Sequence, residues 1–231
     1  MRVAMISGAS RGIGLAIARE MARRGHALSL GVRRPSAVPE ELHAAAGGCL
    51  VHAYDASDRT SHKAWLAATL EKFGRLDTLV NNAGVALHIT FDDATDATLD
   101  DVFEINVKAP FRLTQAALPH LKASGHGRVI NIASLSGKRV MGLSVGYQMA
   151  KHAVVAMTHA IRRAGFERGV RASAICPGFV ATDMTVGVTD FPRSEMTDPN
   201  NIAVLVATLI ELPNTASVAE LLINCRYETT L

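Results

Sequence analysis

The sequence predicts one doubly wound α/β domain over residues 1–231, with a mainly parallel seven-stranded sheet and helices on both faces. Short apolar segments alternate with longer helical patterns, an order typical of βαβ units. The short segments are apolar almost without interruption, as expected for strands that helices cover on both faces. A chain of 231 residues with 48% hydrophobic and 19% charged residues can bury a core of this kind.

Seven apolar segments are predicted as strands, at Val3–Ser7, Ala27–Val32, Cys49–Ala53, 76–81, 128–133, 170–176 and 220–224. Helical periodicity predicts helices at 12–24, 58–73, 95–123, 146–168 and 199–211. Residues 33–48 are short and rich in Pro, Ala and Gly, so their crossover helix is expected to be reduced. Residues 178–198 carry Pro, Gly, Thr and Asp throughout and are predicted to form a mobile loop.

The last helical segment and the strand after it indicate self-association. Residues 201–212 are apolar on nearly all sides, which predicts burial on two sides. The strand at 220–224 would otherwise leave a hydrophobic sheet edge exposed. We therefore expect a homo-oligomer, a tetramer or a dimer, with the tetramer favoured.

Charge and cysteine content exclude several classes of protein. The chain has 24 Lys and Arg against 21 Asp and Glu, a net charge of +3. Its basic doublets are dispersed, so we expect no nucleic-acid binding. Three cysteines without C-x-x-C spacing form no disulfide framework, and no H-E-x-x-H motif predicts a metal site. The longest strongly apolar stretch, 202–210, is far shorter than a membrane span. We expect a cytoplasmic protein without membrane contact.

A glycine-rich turn, S-G-A-S-R-G-I-G at 7–14, follows the first strand and opens the first helix. Glycines allow a tight turn and close approach of a ligand, and the helix N-terminus favours a pyrophosphate. The same residues match G-x-S-x-G, the nucleophile elbow of α/β-hydrolases, with Ser10 as nucleophile. That elbow requires an oxyanion-hole loop from an earlier strand, and residues 1–6 leave no room for one. Hydrolysis is therefore the third hypothesis for function.

Further polar residues belong to the same sheet edge. Tyr147 and Lys151 share one helix face through their i,i+4 spacing. Ser134 stands at the carboxyl end of the strand at 128–133, where open α/β sheets bind ligands. The segment N-N-A-G at 81–84 ends another strand at this edge. Their convergence predicts one active site.

Together these motifs resemble the short-chain dehydrogenase/reductase family over nearly the whole chain, which implies a Rossmann fold. The glycine turn is similar to the family's T-G-x3-G-x-G loop, with Ser7 in place of Thr, and 147–151 is similar to its Y-x3-K. Asn106 corresponds to its helix asparagine, and the P-G segment at 177–182 to the one beside the nicotinamide. The resemblance implies catalytic Ser134, Tyr147, Lys151 and Asn106. It implies cofactor contacts from Gly8, Ser10, Arg11, Gly12, Ile13, Gly14, Arg33, Asp55, Asn82, Ala83, Gly84, Tyr147, Lys151, Pro177, Gly178, Val180 and Thr182.

The resemblance also implies a role for each catalytic residue. Tyr147 is the general acid in carbonyl reduction or the base in alcohol oxidation, with its pKa lowered from near 10 by positive charge. Lys151 supplies that charge together with the oxidised nicotinamide and bonds the nicotinamide ribose. Ser134 holds the substrate oxygen beside the phenol. Asn106 anchors a water that relays protons to Lys151, or alternatively forms only a hydrogen bond at a helix kink.

The end of the second strand predicts NADP in preference to NAD. NAD sites usually place an acidic residue there, but this strand ends in Gly31, Val32, Arg33 and Arg34. An arginine can bond the 2′-phosphate with charge-assisted hydrogen bonds. Arg33 is the first candidate and Arg11 the second, and the alternative is that both arginines are surface residues.

The leading hypothesis is an NADPH-dependent carbonyl reductase, working in either direction. The alternative is a non-catalytic nucleotide-binding sensor or structural subunit with the same fold. The segments 135–145 and 179–197 are expected to contact the substrate. They combine apolar residues with Lys138, Arg139 and Arg193. This combination suits a medium-sized, partly apolar carbonyl compound, and an anionic compound of this kind is one alternative. Aldehyde, ketone, 3-oxoacyl and hydroxy-acid substrates all remain open.

Overall fold

A computed structural model of the chain describes residues 1–228. These residues form one parallel sheet of seven strands in the order β3-β2-β1-β4-β5-β6-β7. The strands are β1 (Val3–Ser7), β2 (Ala27–Val32), β3 (Cys49–Ala53), β4 (Thr78–Asn81), β5 (Arg128–Ile132), β6 (Arg171–Pro177) and β7 (Glu220–Ile223). The predicted doubly wound α/β fold is confirmed.

Helices cover both faces of the sheet. They are α1 (Gly12–Arg23), α2 (Glu40–His43), α3 (Arg59–Phe73), α4 (Asp96–Phe103), α5 (Ala109–Ala123), α6 (Val145–Gly165) and α7 (Pro199–Glu211). One apolar core joins α1 and α7 to the sheet, and a second joins α3 and α5 to its other face. As predicted, the crossover after β2 is reduced, with α2 only four residues long. None of the helices in the described range combines the length and the hydrophobicity that crossing a membrane requires.

The predicted helix at 95–123 is interrupted. A π-helical turn (Glu104–Lys108) separates α4 from α5. Within that turn the side chain of Asn106 bonds both backbone polar groups of Val85, so the helix widens where it meets the loop after β4. Hydrophobic periodicity continues across such a turn, which is why the sequence pattern did not reveal it.

Gly31 shows how closely the β2 side of the sheet is packed. The Trp65 indole of α3 lies directly over this glycine, and a Cβ there would stand 2.6–2.8 Å from three ring carbons. Trp65 is fully buried, and its Nε1 donates to Ser29 Oγ over 2.9 Å. A glycine is therefore required at this strand position by the neighbouring ring.

The position of the site follows from the strand order. After β1 the chain builds the sheet outward through β2 and β3, then returns to place β4 on the other side of β1. Open α/β sheets bind ligands in the crevice at the carboxyl ends of strands where the order reverses in this way. Here that crevice lies beyond Ser7 and Asn81.

Candidate active site

The glycine turn and the loop after β4 are fastened to each other by one hydroxyl. Ser7 Oγ accepts hydrogen bonds from the backbone N–H groups of Asn82 and Ala83, over 2.9 and 3.0 Å. In return, Asn82 Nδ2 donates to the carbonyl oxygens of Ser7 and Gly8. The hydroxyl of Ser7 therefore links the glycine turn to the loop after β4, the two sides of the crevice.

The glycine turn has the conformation and the free donors that an anion requires. Gly8 and Gly12 adopt φ angles of +69° and +56°, a region that other residues rarely enter. Arg11 precedes α1 without a side-chain cap, whereas Asp58, Thr95 and Asp198 cap α3, α4 and α7. The first N–H groups of α1 thus remain available for a phosphate.

The loop after β6 lies opposite this turn. A Cβ at Gly12 would stand 3.4 Å from Thr182 Cγ2, so the predicted pyrophosphate turn and the predicted nicotinamide segment face each other closely. Val180 is buried and its segment pairs with Thr197, while Gly178 N–H donates to Ile223 O. The residues present therefore fit a dinucleotide that extends from α1 toward β6.

The other end of the crevice carries Arg33 and Asp55. Arg33 is exposed beyond β2. The pKa of Asp55 lies below its usual value because the amide and hydroxyl of Ser57 donate to it, with a smaller contribution from Arg33. Arg11 instead pairs with Asp183 over 3.2 Å, and both side chains are largely exposed. Of the two arginines, Arg11 is thus engaged in an exposed ion pair, whereas Arg33 has no ion pair within residues 1–228.

Ser134, Tyr147 and Lys151 meet at the carboxyl ends of β5 and β6. Ser134 Oγ lies 3.4 Å from Pro177 O and accepts a hydrogen bond from Ser136 N–H. On α6, Lys151 Nζ lies 5.4 Å from the centroid of the Tyr147 ring and donates to Ile132 O over 2.9 Å. Lys151 is buried and lacks a carboxylate partner within residues 1–228.

Burial shifts both titrations in this cluster. The pKa of Lys151 falls from 10.5 to about 8, since burial disfavours the ammonium ion. The pKa of Tyr147 rises for the same reason, and a hydrogen bond with Ser134 only partly opposes the rise. The sequence-based expectation of a lowered phenol pKa is therefore not met by the protein alone. At neutral pH the phenol keeps its proton and the lysine keeps its charge.

Asn106 and Gly84 lie next to each other beside Lys151. Asn106 Oδ1 accepts from Val85 N–H over 3.0 Å, and its Nδ2 donates to Val85 O over 2.9 Å. A Cβ at Gly84 would stand 2.8 Å from Asn106 Oδ1 and 3.9 Å from Lys151 Nζ. The asparagine side chain is therefore hydrogen-bonded to the backbone of the loop after β4.

Sequence reasoning missed the groups that hold these residues in place. A buried chain of hydrogen bonds lies behind the site, in which Asn81 donates to Asn131 and Asn131 donates to Thr158. The available signal was an asparagine near the carboxyl end of each of two otherwise mainly apolar strands, β4 and β5. Ser10 has no histidine hydrogen-bonded to its hydroxyl in the described part of the chain, so the base that a hydrolase requires is missing there.

Known proteins of one family are similar to this chain. The sequence model of the short chain dehydrogenase family matches residues 2–192. The chain is 41% identical to agropine synthesis reductase of Rhizobium rhizogenes over 98% of its own length, but it spans only 53% of that protein. It is 33% identical to oxidoreductase UcpA of Escherichia coli, covering 95% of this chain and 84% of the relative.

A solved structure is also similar over nearly its whole length. It is the alcohol dehydrogenase of the archaeon Thermococcus sibiricus complexed with 5-hydroxy-NADP, with a TM-score of 0.89 and 31% identity. The alignment covers 99% of this chain and 98% of that one.

Proposed function

This chain belongs to the short chain dehydrogenase family of oxidoreductases, and from that membership we propose that it reduces a carbonyl compound to the alcohol with NADPH, or catalyses the reverse oxidation. The observation that carries the proposal is the cluster of Ser134, Tyr147 and Lys151 at one sheet edge, with the lysine amine 5.4 Å from the phenol ring. Aldehydes, ketones, 3-oxoacyl compounds and hydroxy acids are the candidate substrate classes. Agropine synthesis reductase supports the reductive direction by its name.

The nicotinamide cofactor supplies or accepts the hydride when it is bound. Its pyrophosphate is proposed to lie on the N-terminus of α1, against Gly8, Ser10, Arg11, Gly12, Ile13 and Gly14. Asp55, Asn82, Ala83 and Gly84 are proposed to line the crevice between the adenine and the ribose. Pro177, Gly178, Val180 and Thr182 are proposed to contact the nicotinamide end, with Tyr147 and Lys151 at its ribose.

Tyr147 is proposed to donate its phenol proton to the carbonyl oxygen. Burial raises the pKa of this phenol, so the acid form required for reduction predominates near neutral pH. Ser134 donates a hydrogen bond to the same oxygen and orients it toward the phenol. Once the carbonyl carbon has gained hydride and the oxygen has gained this proton, the product is the alcohol.

Lys151 is proposed to stabilise the phenolate that Tyr147 leaves behind. Its ammonium group is held near the ring by the Ile132 carbonyl, in a buried setting where a charge acts strongly. Asn106 positions the loop after β4 through Val85 and is proposed to help return a proton to Lys151 through water.

The preference for NADPH is supported by charge at the end of β2. Arg33 is exposed there, and its charge contributes to the lowered pKa of Asp55. Arg11 is proposed to bind the same phosphate after giving up its exposed ion pair with Asp183. That ion pair stabilises the fold by less than about 1 kcal/mol. The solved alcohol dehydrogenase was complexed with an NADP derivative, which agrees with this preference.

We propose further that residues 1–231 act as a single cytoplasmic domain in a homo-oligomer. Val204 and Leu205 of α7 and Leu222 of β7 are 47%, 38% and 43% exposed. Covering these side chains with a second copy would remove apolar surface from water.

Replacement of Tyr147 by Phe tests the proposal. Tyr147→Phe removes the proton donor and keeps the ring, so kcat for carbonyl reduction should fall at least ~10²-fold. The dissociation constant for NADPH, measured by the fluorescence of the bound nucleotide, should stay close to that of the parent protein.

A Tyr147→Phe variant that kept most of its activity would refute the acid role. A parent protein that binds NADPH but turns over no aldehyde or ketone would instead support the non-catalytic alternative.

A further inference from the structure

The C-terminal tail runs beside the substrate end of the site. Ile223, the last residue of β7, accepts a hydrogen bond from Gly178 N–H over 2.8 Å. Asn224 follows, with its Oδ1 2.9 Å from the place a Cβ would take on Gly178. The preceding Pro177 carbonyl accepts from Ser134 Oγ. Residues 224–228, here called the tail, therefore begin beside Gly178, and the adjacent Pro177 contacts the predicted substrate-binding Ser134.

Arg226 of the tail rests on two aromatic rings. Its guanidinium carbon lies 5.5 Å from the Phe179 ring centroid and 5.6 Å from that of Phe191. The two rings stack with centroids 5.6 Å apart. Both phenylalanines belong to the segment 179–197 that the sequence predicts to contact substrate. Aromatic faces attract a cation, so the two rings favour this position of the guanidinium group.

Most cations around the mouth of the site already have a carboxylate partner. Lys138 pairs with Glu220 over 2.6 Å. Arg139 forms two hydrogen bonds with Glu228, over 2.6 and 2.8 Å, and mainly for this reason the pKa of Glu228 falls to about 2. Arg193 donates to the carbonyl oxygen of Thr182. All three side chains suggested an anionic substrate at the sequence level. Lys138 and Arg139 are neutralised within the protein, whereas Arg193 has this backbone hydrogen bond and no carboxylate partner among residues 1–228.

Arg226 differs because it shares Glu228 with Arg139. Its Nε lies 3.5 Å from Glu228 Oε1, and its terminal nitrogens have no hydrogen-bond acceptor among residues 1–228. Two guanidinium groups against one carboxylate leave an excess positive charge in this cluster. The Arg226 side chain is 37% exposed, so a ligand can reach it. Asp190 and Glu195 of the neighbouring loop are exposed, so water and salt screen them.

We propose that Arg226 is a specificity-determining residue that binds a carboxylate group on the substrate, so that this enzyme acts on an oxo acid or on the matching hydroxy acid. The planar guanidinium fork bonds a carboxylate through two parallel hydrogen bonds, and the aromatic rings hold the fork in place beforehand. Ser134 and Tyr147 receive the carbonyl oxygen while Arg226 fixes the far end of the same molecule. This inference rests on the proposed carbonyl reduction and names its substrate class.

The test compares each oxo acid with its own amide, in a series of increasing chain length. The parent protein should prefer the acid in kcat/KM, and added salt should weaken that preference. Arg226→Leu should lower kcat/KM for the acid about tenfold and leave the amide nearly unchanged, with Arg226→Lys in between. Glu228→Gln should raise the acid-to-amide ratio, because it removes the competing carboxylate.

A lower acid-to-amide ratio in Arg226→Leu together with a higher ratio in Glu228→Gln indicates an electrostatic role for Arg226. A purely structural role would change the activity on acid and amide alike. Arg19→Leu is the control, since this exposed arginine pairs with Glu41 far from the site. A second measurement is competitive inhibition by a saturated acid and its amide, which Arg226→Leu should weaken for the acid alone. Equal activity on acid and amide, or a parallel loss of both in Arg226→Leu, would overturn the inference. If no carbonyl compound at all is reduced, the proposed function itself fails.

Discussion

Lys151→Met should make the protein more stable at neutral pH while removing its activity. The ammonium group of Lys151 is buried, donates to Ile132 O and has no carboxylate partner in the described chain. Methionine has a similar length and no charge, so it can fill the same space on α6. The variant therefore isolates the energetic cost of holding this charge in the site.

The magnitude follows from the pKa of Lys151, which burial lowers from 10.5 to about 8. At 1.36 kcal/mol per pKa unit, the folded state disfavours the charged lysine by about 3 kcal/mol. The variant leaves the Ile132 carbonyl without its donor, which costs about 1–2 kcal/mol. The net gain at pH 7 is about 1–2 kcal/mol, or a rise in Tm of about 3–6 °C for a domain of this size.

The sign of the pH dependence is fixed by linkage. Below about pH 8 the lysine is charged in both states, and the destabilisation is complete. Between about pH 8 and 10.5 the unfolded chain binds more protons than the folded one, so the stability of the parent protein rises with pH. The advantage of Lys151→Met should therefore shrink over this range and reverse near its upper end.

Urea unfolding of the cofactor-free proteins from pH 7 to pH 10 measures this difference. Lys72→Met is the matched control, because Lys72 Nζ also donates to a backbone carbonyl, that of Cys49, but from an exposed position. Its difference from the parent protein should be small and independent of pH. A Lys151→Met variant that is less stable at pH 7, or whose difference does not change with pH, would refute the reasoning. In the same variant, carbonyl reduction should fall at least ~10²-fold.

Three further predictions follow from the structure. Arg33→Ala combined with Arg11→Ala should raise the KM for NADPH about tenfold or more and change that for NADH little; equal losses for both cofactors would contradict the NADP assignment. Gly31→Ala should destabilise the fold by about 1–3 kcal/mol in urea unfolding, because its methyl group meets the buried Trp65 ring; a loss below about 0.5 kcal/mol would mean that the ring moves aside. Light scattering at micromolar concentration should show a dimer or tetramer, and a monomer would exclude the proposed self-association.

The sequence alone was sufficient for the fold and for the grouping of the candidate site residues at one sheet edge. Continuous apolar strands, helical periodicity and polar residues at strand ends are local patterns, and parallel strands bring their carboxyl ends to one edge. For this reason the sequence by itself groups the glycine turn, Ser134, Tyr147 and Lys151 at one edge of the sheet. The sequence also predicted the reduced crossover after β2, because Pro and Gly disfavour helix locally.

Only the tertiary structure decided which charges are free and which are engaged. Lys138 and Arg139 suggested an anionic substrate, yet Glu220 and Glu228, far along the chain, neutralise them, and Arg226 shares Glu228 with Arg139. Burial likewise raised the pKa of Tyr147, whereas sequence reasoning expected a lowered one. Ion pairing and desolvation depend on neighbours brought together by folding, and no local spacing encodes them.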